Sequence, residues 1–423
     1  MRVLVLGGGG REHALCWALA RAPSTDVVLC APGNIGIAEV AELHDVDPTD
    51  TAMVRELAVR ERIDLVIVGP EAPLVAGVTD SLQAAGIAVF GPTSEAARIE
   101  SSKVFAKDVM AAAGVPTARY WAGNDAQSAR AALRSFDPPY VVKADGLAAG
   151  KGVRICADEG AAGEALKELM VDQLVGAAGS TVLIEEFLEG PEVSVFGLCD
   201  GSDVMLLAPA QDFKRAHDGD AGPNTGGMGA YCPYPLDQAT HDGLRDGVFR
   251  PVLAELALRG ASYVGVLYAG LVLAPDGPKV LEFNARFGDP ETQALLPRLT
   301  SDLAQVLAAC AAGRLAQVPA PRWEDRSAVT VVLASGGYPG EYQTGAPISG
   351  LDEAAAVEGA LVFHSGTRLD GDQVVTAGGR VLAVTGLAGT VAQARDTAYA
   401  AADRIRFDGL QRREDIAGRH RRQ

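Results

Sequence analysis

The chain is poor in what several function classes require. Its 423 residues hold six cysteines (Cys16, Cys30, Cys156, Cys199, Cys232 and Cys310), scattered and without a C-x-x-C pair. That spacing argues against a disulfide framework or a thiolate metal site, and the thiols are expected to be reduced and mostly buried in a cytoplasmic protein. Basic residues are outnumbered, 37 Lys and Arg against 54 Asp and Glu, for a net charge of −17. Nucleic acid and anionic membrane are therefore poor candidates for the main partner, although a local cationic site can still take small anions. No apolar run reaches the length of a membrane span, and the chain runs straight into a strand, so neither a span nor a signal peptide is expected.

Two phosphate-binding fingerprints are also missing. The Walker A spacing G-x-x-x-x-G-K-[ST] is absent, because Gly152 follows Lys151. The glycine run Gly7–Gly10 does not complete G-x-G-x-x-G: Glu12 or His13 stands where the last glycine belongs, and the second strand ends at Ala31 with no acidic residue to hold a ribose. A hydride-transferring enzyme is disfavoured on that ground. A glycine loop opening a helix still presents backbone N–H groups to a phosphate.

What is present reads as a multidomain α/β protein. Hydrophobic content of 48% and charged content of 22% are ordinary for a globular chain, and the length suits two to four domains. Over residues 1–100 short apolar strands (Arg2–Leu6, Val27–Cys30, Asp64–Val68, Ile87–Phe90) alternate with helical stretches (Arg11–Ala22, Ala52–Arg60, Thr79–Ala85). That alternation predicts a doubly wound parallel sheet with ligands beyond the strand ends, at Gly7–Glu12, Ala31–Asn34 and Gly69–Pro73. Next, strand Pro138–Ala144 ends near Lys143. It feeds the glycine-rich Asp145–Val153, in which Gly146, Gly150, Lys151 and Gly152 form a flap suited to triphosphate. Strand Thr181–Glu186 and the linker after it could offer backbone groups to an adenine edge through Glu185, Glu186 and Leu188, and Glu192 could take ribose hydroxyls. A hairpin is expected at Val193–Cys199 and Val204–Ala208. The polar stretch from Gln211 to Gly229, containing Asp212, Lys214 and Gly226-Gly227-Met228-Gly229, reads as a long functional loop.

One stretch decides the chemistry. Val264–Ala274 is almost wholly apolar, Asp276-Gly277 is a turn signal, and Lys279–Leu281 resumes the strand. Glu282, Asn284 and Arg286 then recur at alternate positions, so one strand face would carry a carboxylate, an amide oxygen and a guanidinium. The first two are hard oxygen ligands for Mg²⁺, and the third suits a phosphoryl group. A small α+β domain is expected over residues 325–423, with strand Ala328–Ala334, hairpin strands around Gly378-Gly379 and helix Gly389–Arg404. The tail residues Arg412, Arg413, Arg419, Arg421 and Arg422 are expected to be solvated.

The order of Lys143 strand, glycine flap, E-E-F-L linker and E-x-N-x-R strand resembles the ATP-grasp ligases. The strings GGGGREHAL, IVGPEAPLVAG, KADGLAAGKGV, IEEFLEG, PNTGGMGAY, EFNARFGDPETQ and ASGGYPG, spread in register over essentially the whole chain, are similar to those of the phosphoribosylamine–glycine ligase family. The resemblance implies an N-terminal substrate domain (1–100), an ATP-grasp domain (101–324, flap subdomain about 120–187) and a C-terminal α+β domain (325–423). It implies a cytoplasmic monomer that joins glycine to 5-phosphoribosylamine through glycyl phosphate, with ATP and Mg²⁺ or Mn²⁺. Lys103 and Lys143 would hold phosphates, Glu282 and Asn284 the metal, and Arg286 the transferred group. Asp212, Lys214 and Gly226–Gly229 would shape the amine and glycine site. Gly8, Gly9, Gly10, Arg11 and Glu12, with Pro70 and Glu71, would hold the phosphoribosyl group. Gly8 departs from the asparagine common in that family. Other readings remain open: an ATP-grasp carboxylase taking bicarbonate, although no biotinyl acceptor module is present, and a nucleotide sensor without chemistry.

Overall fold

A computed structural model of the chain describes residues 1–147 and 152–418. The N-terminal strands β1 (Arg2–Gly7), β2 (Val27–Pro32), β3 (Glu42–Leu43), β4 (Leu65–Val68) and β5 (Ala88–Phe90) pair in parallel in the order β3-β2-β1-β4-β5. Only β3, two residues long, escapes the sequence pattern. Alternate residues of β1 feed two cores: Leu4 and Leu6 pack with the helix Thr51–Arg60, and Val3 and Val5 with α1 (Gly10–Leu19). A sheet buried on both faces needs such continuous apolar strands. Strand order reverses between β1 and β4, and their carboxyl ends open the crevice where such sheets bind ligands.

The next four strands, β6 (Tyr120–Gly123), β7 (Tyr140–Ala144), β8 (Val153–Cys156) and β9 (Val182–Glu186), form an antiparallel sheet in the order β6-β9-β7-β8. This unit has its own core, built from Val142, Val182 and Ile184 with Ala162, Leu166 and Leu169 of the helix Glu159–Met170. A further antiparallel sheet, β11-β10-β16-β17, comprises β10 (Glu192–Asp200), β11 (Val204–Leu206), β16 (Val264–Ala274) and β17 (Gly277–Asn284). Gly270 pairs with Glu282 but Leu271 with Val280, so Leu281 is an extra residue bulged from β17 just before the site.

The stretch 211–232 is not the long loop its polarity suggests. It forms β12 (Gln211–Asp212), β13 (Arg215–His217), β14 (Ala221–Asn224) and β15 (Gly229–Cys232). β13 and β14 pair as a hairpin. β12 and β15 enter the C-terminal sheet, whose order is β12-β15-β18-β22-β19, with β18 (Ser327–Ala334), β19 (Ala360–His364) and β22 (Arg380–Ala388). The cause is the apolar segment Met228–Cys232, whose side chains are fully buried; Ala230 and Cys232 face one core and Tyr231 the other. Gly378-Gly379 likewise does not join hairpin partners: β21 (Gln373–Thr376) pairs with β20 (Thr367–Asp370), and β22 with β18 and β19. All six cysteines are free and buried, and among the described residues no helix is long and apolar enough to cross a membrane.

The expectation of a solvated basic tail is overturned for two of its residues. Arg413 is 1% exposed and binds Asp415 at 2.7 Å and Asp220 at 3.0 Å, while donating to the Arg215 carbonyl; Arg412 pairs with Asp403 and Glu414. These ties lash the C-terminal segment to the β13–β14 hairpin. Arg419, Arg421 and Arg422 lie outside the described residues. Burial alone would raise the Asp415 carboxyl, but the Arg413 guanidinium and the Gly219 N–H outweigh it and push it from the ordinary 3.8 to about 2. A depressed carboxyl stabilises the fold above 3.8, and that contribution is lost as pH falls towards 2. Arg413→Met, which removes the buried guanidinium that Asp415, Asp220 and the Arg215 carbonyl face, is expected to cost about 1–2 kcal/mol in urea unfolding, the partly exposed carboxylates being resolvated. Asp415→Asn is expected to flatten the acid limb of stability below pH 4.

Candidate active site

The switch-point loop is built by Glu12. Gly9 precedes α1 with no side chain to cap it, so Glu12 in the first turn reaches back and accepts from the Gly9 N–H at 2.7 Å. Its other oxygen accepts from Arg11 Nε at 2.6 Å, and Arg11 Nη1 donates to the Phe287 carbonyl at 3.1 Å. Arg11 and Glu12 are thus 6% and 2% exposed and spent on fixing the loop, while Gly8 and Gly9 remain half-buried beside the crevice and Gly10 is buried. A Cβ at Gly69 would lie 2.2 Å from Glu12 Oε1 and 2.6 Å from the Leu6 carbonyl, so only glycine lets the β4 end pass Glu12. A Cβ at Gly8 would lie 2.5 Å from the Gly33 carbonyl; an asparagine there would need that loop displaced.

The exit of β17 brings three segments together. The strand ends at Asn284, so the expected three-residue face is two strand residues, Glu282 and Asn284, followed by Arg286 in a bend. The ladder stops because the Ala285 N–H turns to the Glu100 carboxylate, at 2.7 Å. Arg286 donates through Nε to Glu71 at 3.2 Å, through Nη2 to Asn284 Oδ1 at 3.2 Å, and through Nη1 to the Phe287 carbonyl at 3.3 Å; Nη2 also lies 3.1 Å from Glu100. Burial would lower the Arg286 pKa, but Glu100 and Glu71 hold it well above the ordinary arginine range. Pro70 leads into the short helix Glu71–Val75 that carries Glu71.

Lysines approach from the other side. Lys143, on β7, pairs with buried Glu185 at 3.0 Å and donates to the carbonyl of bulged Leu281 at 3.4 Å. Lys103 opens the helix Lys103–Ala113 and donates to the Gly146 carbonyl at 3.0 Å. Asp145 in turn accepts from Ser102 Oγ and the Val104 N–H, so the start of the glycine loop sits on this helix end. Gly152 is buried at the loop's far side; Gly150 and Lys151 lie outside the described residues. Glu186 is taken by Arg119 (2.9 Å), Leu188 is half-buried, and Glu192 pairs with Lys214 at 3.0 Å.

Lys214 also stands 3.8 Å from Glu282. Burial opposes ionisation of Glu282, but Lys214, Lys143, Lys103 and Arg286 outweigh it and hold the carboxyl below its ordinary range. Asp212 goes the other way: burial pushes it up to about 7, Lys214 opposing and Glu291, Glu192 and Glu282 adding to the rise. Met228 is fully buried and Gly229 lies in β15, whereas Gly226 and Gly227 are gripped from the C-terminal sheet. Arg380 donates to the Gly226 carbonyl at 2.5 Å and the Asp289 carbonyl at 2.7 Å and pairs with the Asp289 carboxylate at 3.1 Å, and Tyr338 OH accepts from the Gly226 N–H at 3.0 Å.

An ionised carboxylate and an amide oxygen two residues apart on one strand suit a hard divalent cation. Among the described residues no three His, Cys, Asp or Glu side chains form a metal cage.

The chain matches the phosphoribosylglycinamide synthetase N domain over residues 1–100, its ATP-grasp (A) domain over 101–292 and its C domain over 328–419. The chain belongs to the phosphoribosylglycinamide synthetase family. It is 55% identical over 422 residues to phosphoribosylamine–glycine ligase of Streptomyces coelicolor, covering 99% of each chain. It is 47% identical to the enzyme of that name from Vibrio cholerae, covering 99% of this chain and 98% of the relative. The crystal structure of phosphoribosylamine–glycine ligase from Thermotoga maritima superposes with a TM-score of 0.87 at 33% identity, covering 98% and 100% of the two chains. The biotin carboxylase domain of Hydrogenobacter thermophilus 2-oxoglutarate carboxylase shares the fold alone, with a TM-score of 0.72 at 18% identity over 97% and 91%.

Membership makes the chain an ATP-dependent ligase with small-molecule substrates, and the ATP-grasp domain match spans all the lysines and β17. Within that family frame, the residues the sequence reading left unassigned are Glu100, Asp289, Glu291, Tyr338 and Arg380. Asp289 and Glu291 lie inside the quoted EFNARFGDPETQ run, so a signal existed; Glu100 and Arg380 meet the site only through folding. Gly69→Ala is expected to cost about 1–3 kcal/mol by overpacking against Glu12, read as a fall in thermal midpoint. Gly243→Ala, where an added methyl meets nothing within 4 Å, is expected to show no such loss.

Proposed function

We propose that this enzyme joins glycine to 5-phosphoribosylamine with ATP, giving glycinamide ribonucleotide, ADP and phosphate in purine biosynthesis, as a cytoplasmic monomer divided at about residues 100 and 324. One observation carries the reading: Arg286 ties the switch-point residue Glu71 to the β17 oxygens, so the crevice of the parallel sheet opens onto the lysine-lined strand. Two anionic reactants meeting there need cationic surroundings.

Lys103 and Lys143 hold the ATP phosphates, with backbone groups around Glu185, Glu186 and Leu188 at the adenine edge and Glu192 at the ribose. Gly146–Gly152, including Gly150 and Lys151, closes over the triphosphate and keeps water from the acyl phosphate. Bound Mg²⁺ or Mn²⁺ on Glu282 and Asn284 would neutralise phosphate charge during transfer. The glycine carboxylate oxygen attacks the γ-phosphorus, the bond to ADP breaks, and glycyl phosphate forms, with the Arg286 charge facing the transferred group. The phosphoribosylamine nitrogen then attacks the glycyl carbonyl, and phosphate leaves with the C–O electron pair. Asp212 takes the proton from nitrogen; Lys214 and the Gly226–Gly229 segment orient glycine and the amine. The phosphoribosyl group rests on the backbone of Gly8–Gly10 at the start of α1, bounded by Arg11, Glu12, Pro70 and Glu71.

The test is ADP release with Mg²⁺-ATP, omitting glycine or phosphoribosylamine in turn. Release that requires both is expected; release with bicarbonate in place of glycine would overturn the reading. Glu282→Gln and Arg286→Ala are expected to lower kcat at least about 100-fold, Glu282→Gln with an unchanged thermal midpoint and Arg286→Ala with a lowered one, because it leaves buried Glu100 without its cation. Because Asp212 is protonated below about 7, kcat/KM is expected to rise through that pH in the wild type and to lose this limb in Asp212→Asn.

A further inference from the structure

Glu185 is a buried carboxylate, 2% exposed, facing two buried ammonium groups. Its Oε2 lies 3.0 Å from Lys143 Nζ and 3.3 Å from Lys107 Nζ, and its Oε1 finds no hydrogen-bond partner among the described residues. Lys107 is as buried as Glu185, an unusual place for a lysine. It sits one helical turn after Lys103 on the same helix face. Its head also donates to Thr117 Oγ1 at 2.8 Å and to the Ala118 carbonyl at 3.4 Å, and Thr117 Oγ1 donates onward to the Val280 carbonyl at 2.6 Å.

A lysine has three N–H donors. Lys107 spends all three on Glu185, Thr117 and Ala118, so it has none left for a ligand. Lys143 spends two on protein, on Glu185 and the Leu281 carbonyl, among the described residues. The charges matter equally. A lone Glu185–Lys143 pair would be neutral and would offer little attraction to a phosphate; with Lys107 added the triad is cationic by one unit. Burial pushes the Lys107 ammonium down to about 8, with Glu185 opposing the fall, so it still carries its proton at neutral pH.

We propose that Lys107, whose three donors are spent on protein, is a positioning residue that shares Glu185 with Lys143 and so leaves the Lys143 charge available, through the donor Lys143 keeps, to an anionic phosphate. This rests on the reading of Lys143 as a phosphate-holding group. It assigns Lys107 a role in nucleotide affinity rather than in the transfer step, because its hydrogen bonds and ion pair go to Glu185, Thr117 and Ala118 and not to Glu282, Asn284 or Arg286.

The test is a charge-counting cycle read by calorimetric titration of the full-length enzyme with Mg²⁺-ADP, together with KM for ATP and kcat. Lys107→Met keeps the side-chain volume but makes the triad neutral. It is expected to weaken ADP binding about tenfold, the scale of one unit charge acting across a partly screened site, with KM for ATP raised and kcat largely kept. Lys107→Met combined with Glu185→Gln brings the net charge back to that of the wild type and is expected to recover most of the affinity. A role in stability alone would lower the thermal midpoint of both variants without this recovery. The proposal is overturned if Lys107→Met binds ADP like the wild type, or if the double variant binds no better than Lys107→Met. Should Lys107→Met not fold, the comparison of Glu185→Gln with the double variant decides: adding Lys107→Met to Glu185→Gln removes a surplus charge and is expected to loosen ADP binding, and equal affinity overturns the proposal. A wild type that binds no adenine nucleotide would instead overturn the ATP assignment on which the proposal rests.

Discussion

The site depends on one half-buried arginine held between two carboxylates, the deeper of them Glu100. Arg286 leaves the end of β17 and meets Glu71 from the N-terminal domain, Glu100 from the segment that joins this domain to the next, and Asn284 from its own strand. Removing Arg286 would leave Glu100, which is buried, without its cation, which is costly, whereas the complete set is tolerable because each group is paired and hydrogen-bonded. The network pins the crevice of the parallel sheet against the strand that carries Glu282. It also divides the carboxylates by task. Glu71 lies below its ordinary range because Arg286 and Arg11 outweigh its burial, while Glu100 lies above, because burial and the neighbouring Glu71 outweigh Arg286. One arginine cannot fully compensate two acids, and the deeper one is where the deficit falls.

A similar division runs through the acids around Lys214. Glu282 is kept ionised by four cations, and Asp212, among Glu291, Glu192 and Glu282, is kept half-protonated near neutrality. On the proposed reading, a cluster of acids with environments that separate their titrations would serve as a metal-binding anion and a proton acceptor within one site, without either role needing an unusual residue type. The net charge of −17 does not conflict with anionic substrates, because the cations are concentrated where the strand ends meet.

Much of this was legible in the sequence. Apolar runs separated by helical spacing give the parallel sheet, since a sheet covered on both faces requires them, and a strongly apolar hairpin ending in Glu282 and Asn284 marks where polar groups are placed at a buried edge. What was not legible is long-range. The stretch 211–232 reads as loop because its composition is polar and glycine-rich; only the four buried residues at its end, together with the edge of a sheet about 100 residues away, make it strand. Arg413 reads as tail charge because its partners, Asp220 and the Arg215 carbonyl, are brought to it by the fold. Arg11 and Glu12 read as ligand contacts because they follow a glycine loop; that the same two side chains also brace the loop is set by the fold.

The entry of β15 into the C-terminal sheet has a mechanical consequence for the site. Gly226 and Gly227 precede β15 directly, and Arg380 begins β22 of the same sheet, two strands away. Arg380 binds the carbonyls of Gly226 and Asp289 and the Asp289 carboxylate, and Asp289 accepts from Gln293. The segment proposed to hold glycine is therefore fixed at both ends to the C-terminal sheet and, through Asp289, to the exit of β17. A segment so tied is preorganised, and preorganisation is how a site orients two reactants without ordering its own backbone at each turnover. The C-terminal domain, which supplies none of the lysines or metal-ligand candidates, thus would act on the proposed chemistry by holding the segment read as the meeting place of the acid and the amine.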